Sequence, residues 1–172
     1  HDNVCSNTNN PILIVRDVYS RFFSMYNYWR YGSELYIRDE QFIHNSKDIS
    51  ITDFIRMLKT TDRKYLNTSF TWEQHFANIS DWISGTDYKN IIIIRYQHDL
   101  NPSIQILLNK LSIPNKNIPL PRINITKNNH NNDIIYQQHK HEIDKFINDY
   151  FAADIKLIYN IRNKPELFKL VI

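Results

Sequence analysis

The sequence predicts an α/β fold with a parallel central sheet flanked by helices. Two short β-branched runs carry this expectation, Pro11–Val15 and Asn90–Tyr96, the second with four consecutive isoleucines at 91–94. Isoleucines without polar alternation suit a strand covered on both faces, as parallel strands are. Helical spacing follows each run, and strands separated by helices build layered α/β domains. At 172 residues the chain fits one domain with a substantial core.

The elements follow in order. Pro11–Val15 reads as a short buried strand closed by Arg16-Asp17. From Tyr19 to about Tyr31, Phe22, Phe23, Tyr26 and Trp29–Arg30 recur at helical spacing, and Gly32 supplies a helix stop. Ser33–Lys47 lacks periodicity and reads as irregular. Ser50-Ile51-Thr52-Asp53 resembles a capping box opening a helix through Phe54, Ile55, Met57 and Leu58. Thr71-Trp72-Glu73-Gln74 opens another, continued by Phe76, Ile79 and Ile83 and stopped by Gly85.

After the isoleucine strand, Asn101-Pro102 offers an N-cap with proline at the first helical position. Ile104, Leu107, Leu108 and Leu111 form the expected buried stripe of that helix. Pro114, Pro119 and Pro121 mark a long loop to about Asp133. Ile143, Phe146, Ile147, Tyr150 and Phe151 then follow the helical repeat, and Asp154 restarts a short helix through Leu157 and Ile158.

Composition excludes several classes. No apolar run approaches the roughly 18–20 residues that span a bilayer. His1 to Asn10 are polar and carry no secretory pattern, and the single cysteine, Cys5, allows no internal disulfide, so the expected compartment is cytoplasmic. A Golgi lumen would fit if an N-terminal anchor had been removed. The net charge of +3 is too small to indicate nucleic acid, and the aromatic residues sit at core spacing. Three N-glycosylation sequons begin at Asn67, Asn78 and Asn124, and with 21 asparagines and 19 serines plus threonines about two arise by chance. His139 and His141 face apart on a helix, so no metal site is expected. Only Gly32 and Gly85 could give a phosphate-cradling loop its turn, and neither is followed by lysine in a strand–loop–helix setting, so no P-loop is recognisable.

The stretch Ile12–Ser24 carries the chemistry. A strand ending at Arg16 and feeding a helix start places unpaired N–H groups, the positive dipole end and a forked guanidinium together, with Ser24 two turns along. Such a grouping suits a phosphate. A surface arginine and a solvated serine are the plain structural alternative.

The same stretch resembles the 3′-phosphate-binding segment of sulfotransferases that use 3′-phosphoadenosine 5′-phosphosulfate (PAPS). Their pattern is a strand, Arg-Asp-Pro, and a helix with a serine eight residues after the arginine. Arg16 and Ser24 keep that spacing, Ser24–Trp29 continues it, and Val18 replaces the proline. Trp72-Glu73-Gln74-His75 with Trp82 resembles a helix near the family's acceptor pocket. Arg95-Tyr96-Gln97-His98-Asp99-Leu100 resembles a strand end of the Tyr-Glu-Asp-Leu kind, with Gln97 in place of the glutamate. Leu120–Asn124 and Tyr150–Asp154 resemble the closing Leu-Pro-x-x-Asn and Tyr-x-x-Asp of carbohydrate-type members. No Pro-Lys-x-Gly-Thr loop, which holds the 5′-phosphosulfate in the family, precedes Arg16; the start at His1-Asp2 reads as truncation or processing.

The resemblance implies one sulfotransferase-like domain over residues 1–172, of P-loop-NTPase-like fold and N-terminally incomplete. It implies sulfuryl transfer from PAPS to a hydroxyl acceptor, with carbohydrate favoured by the closing motifs. Arg16 and Ser24 would bind the 3′-phosphate of PAPS or its product PAP, His1 would be the base, and His75 would face the acceptor. Imidazole titrates near neutrality, which suits a base. His1 as a plain chain start and His75 as a packing residue are the structural alternatives. The competing function is a non-catalytic nucleotide-binding or interaction module derived from the same fold.

Overall fold

The two isoleucine-rich runs do pair, side by side and in parallel. The structure is a computed structural model that describes residues 10–31, 49–60, 77–96, 99–114 and 131–172. Strand β1 (Ile12–Val15) runs parallel to β2 (Ile92–Arg95), with Ile12 opposite Ile92 and Val15 opposite Arg95. A third parallel strand, β3 (Leu170–Val171), pairs with the other side of β2, giving the order β1-β2-β3. Together with six α-helices among the described residues, this makes the fold α/β.

Strand β3 has no counterpart in the sequence expectations, because two residues are too few to show a period. Backbone pairing defines it instead. Lys169 and Ile172 donate to the carbonyls of Ile91 and Ile93 at 3.0 and 2.9 Å, and Arg95 donates to Ile172 at 2.9 Å.

Contacts divide the described residues into two compact units. The first holds residues 10–17, 78–96, 99–114 and 153–172; the second holds 18–31, 49–60, 77 and 131–152.

In the first unit β2 is the centre. Ile91–Ile94 are all at most 2% exposed, and burying each such side chain contributes roughly 1.5–3 kcal/mol. One face of the sheet packs Leu13, Val15, Ile91 and Ile93 against Ile79 and Ile83, against Leu157 and Ile161, and against Phe168. Ile79 opens a one-turn helix, α3 (Ile79–Trp82), and Leu157 and Ile161 lie on α6 (Ala152–Asn163). The other face packs Ile92 and Ile94 against Leu107, with Leu100 and Ile104 beside it. These come from α4 (Asn101–Lys110) and its N-cap.

β1 is only in part the buried strand expected. Leu13 and Val15 are buried, but Ile12 and Ile14 are 51% and 47% exposed. The register explains this: Ile12 and Ile14 share a face with Ile92 and Ile94, and α4 covers only the β2 row.

Helix α4 also departs from its expected stripe. Leu107 is buried, while Leu111 is 43% exposed because the helix has already ended at Lys110. The expected N-cap, Asn101, is itself the first helical residue. The Asp99 carboxylate, two residues earlier, accepts from the Asn101 backbone N–H at 3.0 Å and from its side chain at 2.8 Å. At the other end Ser112 has φ 54°. Its N–H reaches the Asn109 carbonyl at 3.1 Å and that of Ile113 reaches Leu108 at 2.9 Å, the two bonds of a Schellman cap. Gly85, expected as a stop, has φ +82°, the region glycine enters without penalty.

The second unit is helical. It contains α1 (Val18–Tyr31), α2 (Ile51–Thr60) and α5 (Asn132–Tyr150). Ser50 caps α2 as expected: its hydroxyl accepts from the Asp53 N–H at 3.1 Å and donates to the Asp53 carboxylate at 2.7 Å. The core is aromatic, with Phe22 of α1 within 5.8 Å of Phe54 and 5.6 Å of Phe146, ring centre to ring centre. Phe54 also meets Tyr26 at 5.4 Å, and Phe146 meets Phe151 edge-on at 6.1 Å. α5 begins eleven residues before Ile143, the start of the repeat read from sequence. A break from helical geometry at His139 (φ −120°, ψ 21°) interrupts it, which is why one continuous apolar period does not cover its length. Among the described residues no helix is long and apolar enough to cross a membrane.

Candidate functional site

The carboxyl ends of β1 and β2 gather the groups of most chemical interest in the first unit. In open parallel sheets, ligands bind outside the carboxyl ends of the strands. Arg16 follows β1 directly, and Asp17 separates it from the first residue of α1, so the expected order of strand, arginine and helix is present. Its half-buried guanidinium lies over the Tyr96 ring, 4.9 Å from the centroid. Among the described residues no carboxylate pairs with it. The backbone fixes this neighbourhood, because the Tyr96 N–H donates to the Val15 carbonyl at 2.7 Å and extends the β1–β2 ladder by one residue.

Ser24 is half-buried in α1 and belongs to the second unit, whereas Arg16 belongs to the first. His1 and His75 lie outside the described residues, as do Trp72, Gln97, His98 and Leu120–Asn124. Trp82 ends α3 and is 43% exposed. Among the described residues no group of three or more histidine, cysteine, aspartate or glutamate side chains could hold a metal ion.

Two polar constellations were not singled out from the sequence. In the first unit, Asp154 is fully buried. Its two oxygens accept the Ile79 and Ser80 N–H groups at 3.0 and 2.9 Å, so a carboxylate from α6 caps α3. Asn78 precedes α3 in the capping position but makes no side-chain cap, and among the described residues its buried Oδ1 has no partner, like the Oγ of Ser80. The sequon at Asn78 is thus buried in the fold, where a glycan acceptor would need to be exposed. In the sequence Asp154 stands out as a helix restart and as the end of the Tyr150–Asp154 stretch, and neither gives a hint of a partner 75 residues away.

In the second unit, Tyr136, Lys140 and Asp144 stand one turn apart along α5. Asp144 accepts from Lys140 Nζ at 2.5 Å and from the Tyr136 hydroxyl at 3.0 Å, and through the same oxygen as Tyr136 from Tyr19 of α1 at 3.0 Å. The Lys140 contact holds the Asp144 carboxyl below the usual carboxylate range, aided by both tyrosine hydroxyls and opposed by burial. The Asp144 and Tyr136 contacts raise the Lys140 ammonium above its ordinary value. Burial, then the Asp144 bond, pushes the Tyr19 phenol up to about 12. These groups satisfy one another, so the cluster reads as a clamp between α1 and α5. The i, i+4, i+8 spacing was legible; the partner on α1 was not.

The arrangement at Arg16 can do one thing well: present a forked cation, steadied by an aromatic ring, to an oxyanion. Compared with protein-family models, with curated proteins and with solved structures, the chain matches none.

Proposed function

We propose that this chain binds the 3′-phosphate of PAPS through Arg16 and works as a sulfotransferase on a hydroxyl acceptor, carbohydrate in the favoured case. The observation that carries the reading is the half-buried Arg16 guanidinium at the carboxyl end of β1, directly ahead of α1. A forked cation in that position fits an oxyanion in both charge and shape. Ser24 enters through its spacing of eight residues from Arg16 in the sequence. The parallel three-stranded sheet with helices on both faces is compatible with a P-loop-NTPase-like sulfotransferase fold.

PAPS would supply the activated sulfuryl group. The protein's own part is positioning, positive charge and a base for the acceptor hydroxyl. Arg16 would orient the nucleotide by its 3′ end and so select it over 5′-adenylate. His1 remains the proposed base and His75 the proposed acceptor-side residue.

The second reading is a nucleotide-binding module without transferase activity. It is favoured by the Arg16–Tyr96 geometry, which suits holding an oxyanion and includes no reacting group. Calorimetry with PAP and with 5′-adenylate tests the shared part of both readings. Arg16→Ala is expected to weaken PAP by about 1.5–3 kcal/mol, the scale of a hydrogen bond to a charged group, or roughly 10- to 150-fold. It should leave the weaker 5′-adenylate unchanged. Equal PAP affinity in Arg16→Ala would remove the site assignment. Sulfuryl transfer from PAPS to a glycan acceptor then separates the enzyme from the module.

A further inference from the structure

We infer that Tyr96 is the positioning residue for Arg16: its ring holds the guanidinium plane so that the N–H edge stays available to an oxyanion. This rests on the proposed 3′-phosphate reading and adds to it the residue that shapes the site.

Strand register sets the pairing. Ile12 faces Ile92 across the β1–β2 ladder, so residues of equal parity share a face. Ile12, Ile14 and Arg16 then form one row on β1, and Ile92, Ile94 and Tyr96 form the matching row on β2. Arg16 and Tyr96 are the last, facing pair of that row, and the 4.9 Å distance from guanidinium to ring centre agrees. The Tyr96 N–H to Val15 carbonyl bond places the ring by backbone pairing, independently of any side-chain partner of its hydroxyl.

An arginine side chain has several rotatable bonds, and ordering it on binding opposes affinity. Stacking a guanidinium on an aromatic face removes part of that freedom beforehand and leaves the in-plane donors pointing outward. Tyr96 is 41% exposed, well above a core tyrosine such as Tyr26 at 1%. Its upkeep of the core is therefore small, and its contact with Arg16 is what its position provides.

The test combines affinity with a signature that a purely structural role would not move. The Arg16 Nε–H proton of the full chain, free of ligand, should show a ring-current shift that survives Tyr96→Phe and disappears in Tyr96→Leu. PAP affinity should stay within about twofold of wild type in Tyr96→Phe. In Tyr96→Leu it should fall roughly two- to fivefold, the scale of a partly exposed cation–π contact. In the Arg16→Ala background, Tyr96→Leu should produce no further loss, since the ring then has no guanidinium to hold.

A Tyr96→Leu variant that matches wild type, or one that loses the same factor with and without Arg16, overturns the inference. Loss of affinity in Tyr96→Phe overturns it too, by showing that the hydroxyl acts directly. The 3′-phosphate reading fails separately, through unchanged PAP affinity in Arg16→Ala.

Discussion

Asp154 shows how much one side chain can hold at the residue scale. Its carboxylate is fully buried and spans two N–H groups of α3. Removing it leaves the buried Ile79 N–H and the part-buried Ser80 N–H without this partner, and an unsatisfied buried group costs about 1–3 kcal/mol. Asp154→Ala should therefore destabilise the protein by about 2–4 kcal/mol in urea unfolding, with Asp154→Asn less harmful because one oxygen remains. A loss below about 1 kcal/mol would mean that water replaces the carboxylate. Asp144 sets a second, pH-dependent case. Its folded-state pKa is lowered, so its stabilisation is present above the unfolded value near 4 and is lost as pH falls through the folded one. Lys140 and Tyr19 have raised values, Tyr19 to about 12, so their contributions hold below about pH 10. Those contributions fade as pH rises further. Asp144→Asn should flatten both limbs of a plot of urea midpoint against pH. A wild-type plot without an alkaline decline between pH 10 and 12 would contradict the clamp.

At the scale of elements, the ends of helices were more legible than their partners. Ser50 and Gly85 do what their residue types dictate, because caps and positive-φ stops depend on local chemistry alone. Ser112 shows where that logic stops. It fills the left-handed position of a Schellman cap that glycine would normally take, in a chain with only two glycines. Nothing in its side chain announces φ 54°; the hydrogen bonds of Ser112 and Ile113 impose it. Ser112→Gly should therefore stabilise the protein by about 0.5–1 kcal/mol, by relieving the Cβ penalty of the left-handed region. An unchanged or lower urea midpoint would show that this cap frays in solution. The candidate site divides the same way. Arg16 was visible because strand, arginine and helix follow one another in sequence, whereas its pairing with Tyr96 needs the β1–β2 register, which no local pattern contains.

At the scale of the whole molecule, the sheet exposes an asymmetry between its two outer strands. β3 is two residues long and half-buried, a small edge. β1 is four residues long and turns Ile12 and Ile14 outward, each about half exposed, while Leu13 and Val15 face the core. No described residue pairs with its free edge. Exposed apolar side chains on an edge strand promote association between chains, and a net charge of only +3 opposes it weakly. Substituting threonine keeps the β-branched shape and strand preference while removing apolar surface. Ile14→Thr should change stability by no more than about 0.5 kcal/mol and should raise the protein concentration at which light scattering detects self-association. Leu13→Thr, one residue away on the opposite face, should cost at least about 2 kcal/mol, because it puts a hydroxyl into the core and leaves a gap beside Ile91 and Ile93. The contrast between these neighbours tests the alternation directly. If both substitutions destabilise alike, the outer face of β1 is covered in the folded protein, and Ile12 and Ile14 belong to a core larger than the one described.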